Sequence, residues 1–514
     1  MIILILVINF IFTLFLSFAF VGSGSDHDVY KYTIQLIREN KRKSVYYHNN
    51  FLNKTSTLNP QLFYKLLSFL SSKGIKVFSF VLNPLIISIL LLIFYFFINQ
   101  VTDNEEYATA ITALLAVNPQ YFNVNNARLY GLNARAFGLI LVFVFFICVY
   151  FTEYEGYSIR TFLIGSIINY LIWNISLFAQ QAVVFFSMIL GIVFNFWSPI
   201  LMTVVSLVIY ALTSYKDFIH FPKQLYNRSI VFIVSGYFLK DRYSIWRDLF
   251  WDFWVKLIKS PKKSLRYIYS SPLFIIIILN PFLIMLIYLI IEEKKIIGLD
   301  NTLKEFAFAM TITGVITFIF TSFRITRFLG EPDRYIEMII PFLVVIPGIY
   351  LYQSMTIKEY LYLIGILALV IGLQCYLYYR KIKTTNFSLF IESIPNVKKI
   401  ITTKFREDDV RFTSNNPEWT RRLLNTHWSF LLNWPESMNV GSIGIKEIVD
   451  NPKFPCYENK LISKFIEEFD INVYLHDHKV EEEFLHPRAD KYSAIELDKN
   501  SIYSLYRIEK ISGN

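Results

Sequence analysis

Residues 161–215 read TFLIGSIINYLIWNISLFAQQAVVFFSMILGIVFNFWSPILMTVVSLVIYALTSY, without one Asp, Glu, Lys, Arg or His. One helix crosses the hydrocarbon core of a bilayer with about 20 residues, so this stretch holds more than one crossing. The rest of the chain shares the bias. Of 514 residues, 54% are hydrophobic and 18% charged, against about 45–50% and about 25% in a soluble globular domain. With Phe 49, Tyr 34 and Trp 8, a disordered, coiled-coil or collagen-like chain is excluded. The sequence is that of a mainly α-helical, polytopic membrane protein.

Working outward from 161–215, hydropathy places about eleven transmembrane helices. They lie near 1–20, 77–99, 107–119, 136–152, 161–179, 181–196, 198–214, 272–291, 306–323, 338–352 and 360–379. Residues 1–20 carry no basic residue ahead of their apolar core, as expected of a retained first span rather than a cleaved signal peptide. As drawn, no span contains an ionisable residue. Ion-coupled transporters need such residues at mid-depth. Their absence from the spans directs the chemistry to a membrane surface.

Three polar segments interrupt the spans: 21–76, 216–271 and 380–514. In the first, Tyr30, Ile34 and Ile37 recur at helical spacing while Lys31, Arg38 and Lys41 fall elsewhere, which predicts an amphipathic surface helix. In the second, Trp246, Phe250, Trp254 and Leu257 repeat the pattern beside Arg247, Asp248 and Lys256. The third reads as a small soluble α/β domain following a transmembrane unit over 1–379. Within it a helix is predicted at 459–469, strands at 471–475 and 502–507, and a turn at Asp498-Lys499-Asn500. Cys148 and Cys375 lie in apolar runs and Cys456 stands alone, so no disulfide framework or metal spacing is visible. The formal charge of +10 suits anionic headgroups or phosphate. The apolar bulk argues against nucleic acid.

Directly after the first span comes Gly22-Ser23-Gly24-Ser25-Asp26-His27-Asp28. Two carboxylates and an imidazole at a membrane face can bind a divalent metal or take a proton from a hydroxyl. Equally, Ser25-x-x-Asp28 has the form of a capping box for the helix that follows. Further on, Asn59-Pro60-Gln61-Leu62-Phe63-Tyr64 opens a second surface helix, and the third span ends at Asn118-Pro119-Gln120. Arg128-Leu129-Tyr130-Gly131-Leu132-Asn133-Ala134-Arg135 leads into the fourth span. Glu331-Pro332-Asp333-Arg334-Tyr335-Ile336-Glu337 leads into the tenth, which carries Pro341.

These pieces, in this order, resemble the GT-C superfamily of polytopic glycosyltransferases. Asp26-His27-Asp28 with Tyr30 matches its acidic motif in the first extracytoplasmic loop. Asn59-Pro60-Gln61-Leu62 matches the following Tyr-Pro-Pro/Gln-Leu-like segment, and Arg334-Tyr335 with Pro341 a late Arg-Tyr…Pro element. The resemblance implies transfer of a sugar from a polyprenyl-phosphate donor to a lipid, polysaccharide or protein acceptor across the membrane. It implies an integral multi-pass protein of the plasma membrane or the endoplasmic reticulum. Under it, Asp28 or Asp26 is the general base and His27 a positioning group. Arg334, Arg135, Arg324 and Arg327 hold the leaving phosphate, and Tyr30 and Tyr335 line the donor or acceptor pocket. There are departures. Asn59 stands where Tyr is usual, and the loop 119–135 lacks the carboxylate that metal-dependent members often supply there, which counts against a divalent metal without removing it; no other cofactor is indicated. The Trp-Trp-Asp signature of oligosaccharyltransferases is absent. For Arg334 the competing reading is an ion pair with Glu331 or Glu337. For Arg128 and Arg135 it is interfacial snorkelling.

Charge and family layout disagree on sidedness. Eleven spans from a cytoplasmic N-terminus put 21–76, 216–271 and 380–514 outside. Yet 21–76 holds nine Lys plus Arg and 216–271 eleven, which the positive-inside rule assigns to the cytoplasm. Two other classes fit the composition: a non-catalytic assembly or scaffold protein, and a lipid flippase or transporter.

Overall fold

The structure is a computed structural model. It describes residues 1–20, 26–45, 51–52, 60–121, 131–154, 156, 158–220, 222, 258–260, 280–291, 301–323, 326, 329, 332–382, 385–424, 427–431, 447–448, 451, 453, 456–481 and 491–511. The membrane unit runs α1 (Ile2–Phe20), α2 (Asp26–Glu39), α3 (Leu62–Leu67), α4 (Ser72–Thr102), α5 (Glu105–Ala116), α6 (Ala134–Tyr154), α7 (Ile159–Ile175), α8 (Leu177–Phe194) and α9 (Ser198–Thr213). It continues with α10 (Pro281–Ile291), α11 (Asn301–Ser322), α12 (Asp333–Leu343), α13 (Val345–Ser354) and α14 (Ile357–Ile382). The C-terminal unit follows with α15 (Thr385–Lys404), β1 (Arg411–Ser414), α16 (Pro417–Arg422), β2 (Ser429–Phe430), α17 (Asn459–Phe469), β3 (Val473–Asp477), β4 (Tyr492–Lys499) and β5 (Tyr503–Lys510).

Each of the eleven apolar stretches falls at least partly on a helix, but the count of spans changes. Among the described residues six helices are long and apolar enough to cross a membrane: α1, α4, α6, α8, α11 and α14. α12 and α13, bent by 44° where they meet, pass the same test as a pair, as a broken span or a re-entrant loop would. Pro341 and Pro347 flank that bend, and proline breaks the helical hydrogen-bond ladder. α7, α9 and α10 are apolar but shorter. Local chemistry sets some of these limits. The Ser176 hydroxyl accepts from the Ala179 N–H to start α8 directly after α7, and Asn195 in the left-handed region ends α8.

Helices in lipid associate through close packing and a few polar contacts. On α11, Gly314 lets Ile339 of α12 approach so closely that a Cβ there would lie 2.5 Å from it. Asn169 Nδ2 donates to Thr203 Oγ1 at 3.0 Å, tying α7 to α9. Asn9 Nδ2 donates to the Ala116 carbonyl at 3.1 Å, tying α1 to the end of α5. The charge-free interior expected of the spans is corrected at two places. α6 begins at Ala134 and takes in Arg135, while α12 begins at Asp333 and takes in Arg334 and Glu337. All three side chains are buried.

α2 forms where the amphipathic pattern placed it, and it packs on two faces rather than one. Ile34 and Ile37 enter the core of the membrane unit. Tyr32 and Leu36, on another face, pack into the core of the C-terminal unit with Phe51, Trp428 and Phe430. α2 is therefore a wedge between the two units. The second amphipathic segment, 216–271, lies largely outside the described residues.

The C-terminal sheet has the order β2-β1-β3-β5-β4. β2, β1 and β3 are parallel, with Phe412 beside Val473; β3, β5 and β4 are antiparallel, with Val473 beside Arg507. The predicted helix is α17, and the two predicted strands fall within or beside β3 and β5. At the β2 edge the sheet gains a residue from the first polar segment. Phe51 bridges Phe430 in parallel, and the Leu52 N–H donates to the Phe430 carbonyl at 2.9 Å.

Candidate functional site

The acidic motif opens α2. Ser25 lies outside the described residues, as does the side chain of Asp26. His27 is buried, with its ring against Gly131, where a Cβ would lie 2.7 Å from Nδ1. Gly131 has φ of +93°, open to glycine at little cost. Its carbonyl accepts from Asn83 Nδ2 at 3.1 Å, so α4 holds it in place. Nδ1 of His27 has no hydrogen-bond partner among the described residues. Burial, then the Lys31 and Arg422 charges, push the imidazole down to about 3. At neutral pH it is uncharged.

Asp28 faces the C-terminal unit. Arg422 Nη1 of α16 donates to its Oδ2 at 3.4 Å. Arg422 Nε donates to Glu418 Oε1 at 3.1 Å, and the guanidinium lies 5.9 Å from the Phe390 ring centre. The Arg422 side chain is 4% exposed and that of Asp28 28%, so the cation is fixed while the carboxylate keeps access to solvent. Burial raises the Asp28 carboxyl above its ordinary range, and Arg422 and Lys31 pull it back. Among the described residues, its carboxylate is bonded to Arg422 and not to the backbone of its own helix.

A second cluster stands at the start of α6 and α12. Asn133 Oδ1 accepts from the Arg135 N–H at 2.9 Å and begins α6. Arg135 forms a buried ion pair with Glu337. Glu337 therefore reaches a cation on another helix, and Arg135 is not the snorkelling residue its position suggested. The guanidinium carbons of Arg334 and Arg135 lie 5.3 Å and 5.9 Å from the centre of the Phe178 ring. Two cations thus share one aromatic neighbour. Gln120 Nε2 donates to the Asp333 carbonyl at 3.3 Å. Nε and Nη1 of Arg135 have no hydrogen-bond partner among the described residues.

Of the other predicted site residues, Tyr30 is half-buried and stacks on Tyr64 with centroids 5.5 Å apart. Tyr335 is wholly buried, donates to the Leu329 carbonyl at 2.7 Å and packs on Phe178. Arg324, Arg327, Arg128, Asn59 and Glu331 lie outside the described residues. Among the described residues, no three His, Cys, Asp or Glu side chains gather as a metal site would need.

The stretch 131–135 joins the two clusters: its first residue touches His27 and its last pairs with Glu337. The chain matches no family model and no curated relative. Two residues that shape the site, Glu418 and Arg422, escaped the sequence reading, and two more, Gly131 and Glu337, were quoted there without the roles they take. Glu337 carried a faint signal, three residues beyond Arg334 on one helix face. Arg422, in Pro417-Glu418-Trp419-Thr420-Arg421-Arg422, carried none beyond a solvated charge run.

Proposed function

We propose that the protein is a membrane glycosyltransferase of GT-C type. It moves a sugar from a polyprenyl-phosphate donor to a lipid, polysaccharide or protein acceptor on the extracytoplasmic or luminal side, with inversion. The observation that carries this reading is the setting of Asp28. The carboxylate is partly desolvated, held through one oxygen and still open to solvent, and a neutral imidazole stands next to it in sequence. Burial makes a carboxylate a stronger base, the property that proton abstraction needs. As the acceptor oxygen attacks the anomeric carbon, its proton passes to Asp28. The anomeric bond to phosphate breaks with its electron pair, and Arg334 and Arg135 take up the growing phosphate charge. Plasma membrane and endoplasmic reticulum both suit such an enzyme.

The test is release of free polyprenyl phosphate from a panel of polyprenyl-phosphate sugars by the purified protein. Asp28→Asn should lower turnover about 10²–10⁴-fold, with folded yield kept because Asn suits a helix start as well as Asp does. Asp26→Asn, measured alongside, tells which carboxylate is the base. If both variants match the parent, the transferase reading is wrong.

A further inference from the structure

Resting on that reading, we infer that Arg422 of the C-terminal unit is the positioning residue that fixes the Asp28 carboxylate by one oxygen and leaves the other for the acceptor hydroxyl. The pair is monodentate: Nη1 meets Oδ2, and Oδ1 has no hydrogen bond among the described residues. The guanidinium cannot rotate freely, because its Nε is committed to Glu418. α16 itself is pinned from below. The Asn416 side chain caps it through the Glu418 N–H at 3.0 Å. Asn416 Nδ2 and Trp419 Nε1 both donate to Oδ2 of the buried Asp477, at 2.7 Å and 3.0 Å. Trp419 is fully buried between Phe390 and Tyr503. An exposed ion pair would count for little, but this cation is buried and its geometry is set by a packed sheet.

In the reaction the acceptor O–H bond breaks, the proton goes to Oδ1, and the new bond forms between the acceptor oxygen and the anomeric carbon. Arg422 touches none of these atoms. It orients the carboxylate and favours its ionised form. The charged groups around Asp28 are Lys31 on its own helix, Arg422 and Glu418 on α16, and Lys398 on α15. Arg422, Lys31 and Lys398 favour the carboxylate, and Glu418 opposes it.

The test is the pH profile of polyprenyl-phosphate release. The base must be ionised, so turnover has an acidic limb. Arg422→Gln should move that limb upward by about 1–3 pH units, so that turnover lost at neutral pH returns as pH rises. Arg422→Lys should restore only part, since an ammonium lacks the planar fork. Glu418→Gln should move the limb the opposite way, a shift that a purely structural role would not produce. Should Arg422→Gln fail to fold, the Glu418→Gln limb decides alone: downward supports the role and unmoved overturns it. A uniform loss across pH in Arg422→Gln, with no shift in Glu418→Gln, also overturns it. A parent protein that turns over no donor sinks the transferase reading and this role with it. A working parent whose limb neither variant moves sinks the role alone.

Discussion

His27 makes the fold sensitive to acid. An imidazole ordinarily takes its proton near 6.5, and in the folded chain burial delays this to about 3. Between those values the unfolded chain binds a proton that the native chain refuses. Stability therefore falls as pH drops from 6.5 toward 3, by about 1.4 kcal/mol per pH unit for this one group. Asp28 has the opposite sign. Its folded value is raised, so its contribution is present at low pH and is lost as pH rises through that value. His27→Gln should flatten the acid decline of the melting temperature relative to the parent. Parallel curves for the two proteins would show that the ring escapes its burial some other way. Gly131 is coupled to the same side chain, because any Cβ there meets Nδ1 and the backbone is left-handed.

The pair between α6 and α12 is the contact between helices with the most at stake. Removing one member of a buried pair leaves the other uncompensated, at a cost of about 3–5 kcal/mol. Arg135→Gln and Glu337→Gln should each lower thermal stability in detergent strongly. Arg135→Met combined with Glu337→Leu should cost clearly less than the two single changes added together. Additive effects would show that the two groups do not interact. Much at this level was legible beforehand. The apolar stretches became helices, and α17 spans the predicted 459–469, because a helical repeat of apolar residues in a short window reports burial directly. The inner face of α2 could be read for the same reason. Its other face could not: Tyr32 and Leu36 sit among Lys31, Gln35 and Glu39, and their partners Trp428 and Phe430 come far along the chain. Hydropathy divided 161–215 near the Ser176 cap and the Asn195 turn that separate α7, α8 and α9. It could not say which of these helices reach full span length, and α7 and α9 are the shorter ones. Arg135 and Arg334 were singled out from their motifs. Arg422 was not, since pairing across the two units leaves no trace in a local pattern.

Because Phe51 pairs with the sheet edge and Tyr32 lies in the C-terminal core, the first polar segment and the C-terminal unit must share one side of the membrane. An even number of crossings must separate them. Among the described residues, α4, α6, α8, α11, the bent α12–α13 pair taken as one span, and α14 are six candidates for those crossings, an even number. Single cysteines replacing the exposed Lys43 and Asp408, in a chain carrying Cys456→Ser, should react with an impermeant thiol reagent from the same side. Labelling from opposite faces would contradict the docked sheet. Under the transferase reading both label in intact cells. Labelling only after permeabilisation would put them in the cytoplasm, as the basic loops suggest, and would remove far-side transfer. The joint between Phe51 and Phe430 also has a history in time. Synthesis proceeds at about 5–20 residues per second, so roughly 380 intervening residues delay the second strand by about 20–80 s. Through that interval the newborn α2 lacks the Trp428 and Phe430 of the core that Tyr32 and Leu36 enter, and Asp28 has no Arg422. A chain stalled on the ribosome before its last quarter would be a client for chaperones and proteases, and the carboxylate would meet its guanidinium only as translation nears its end.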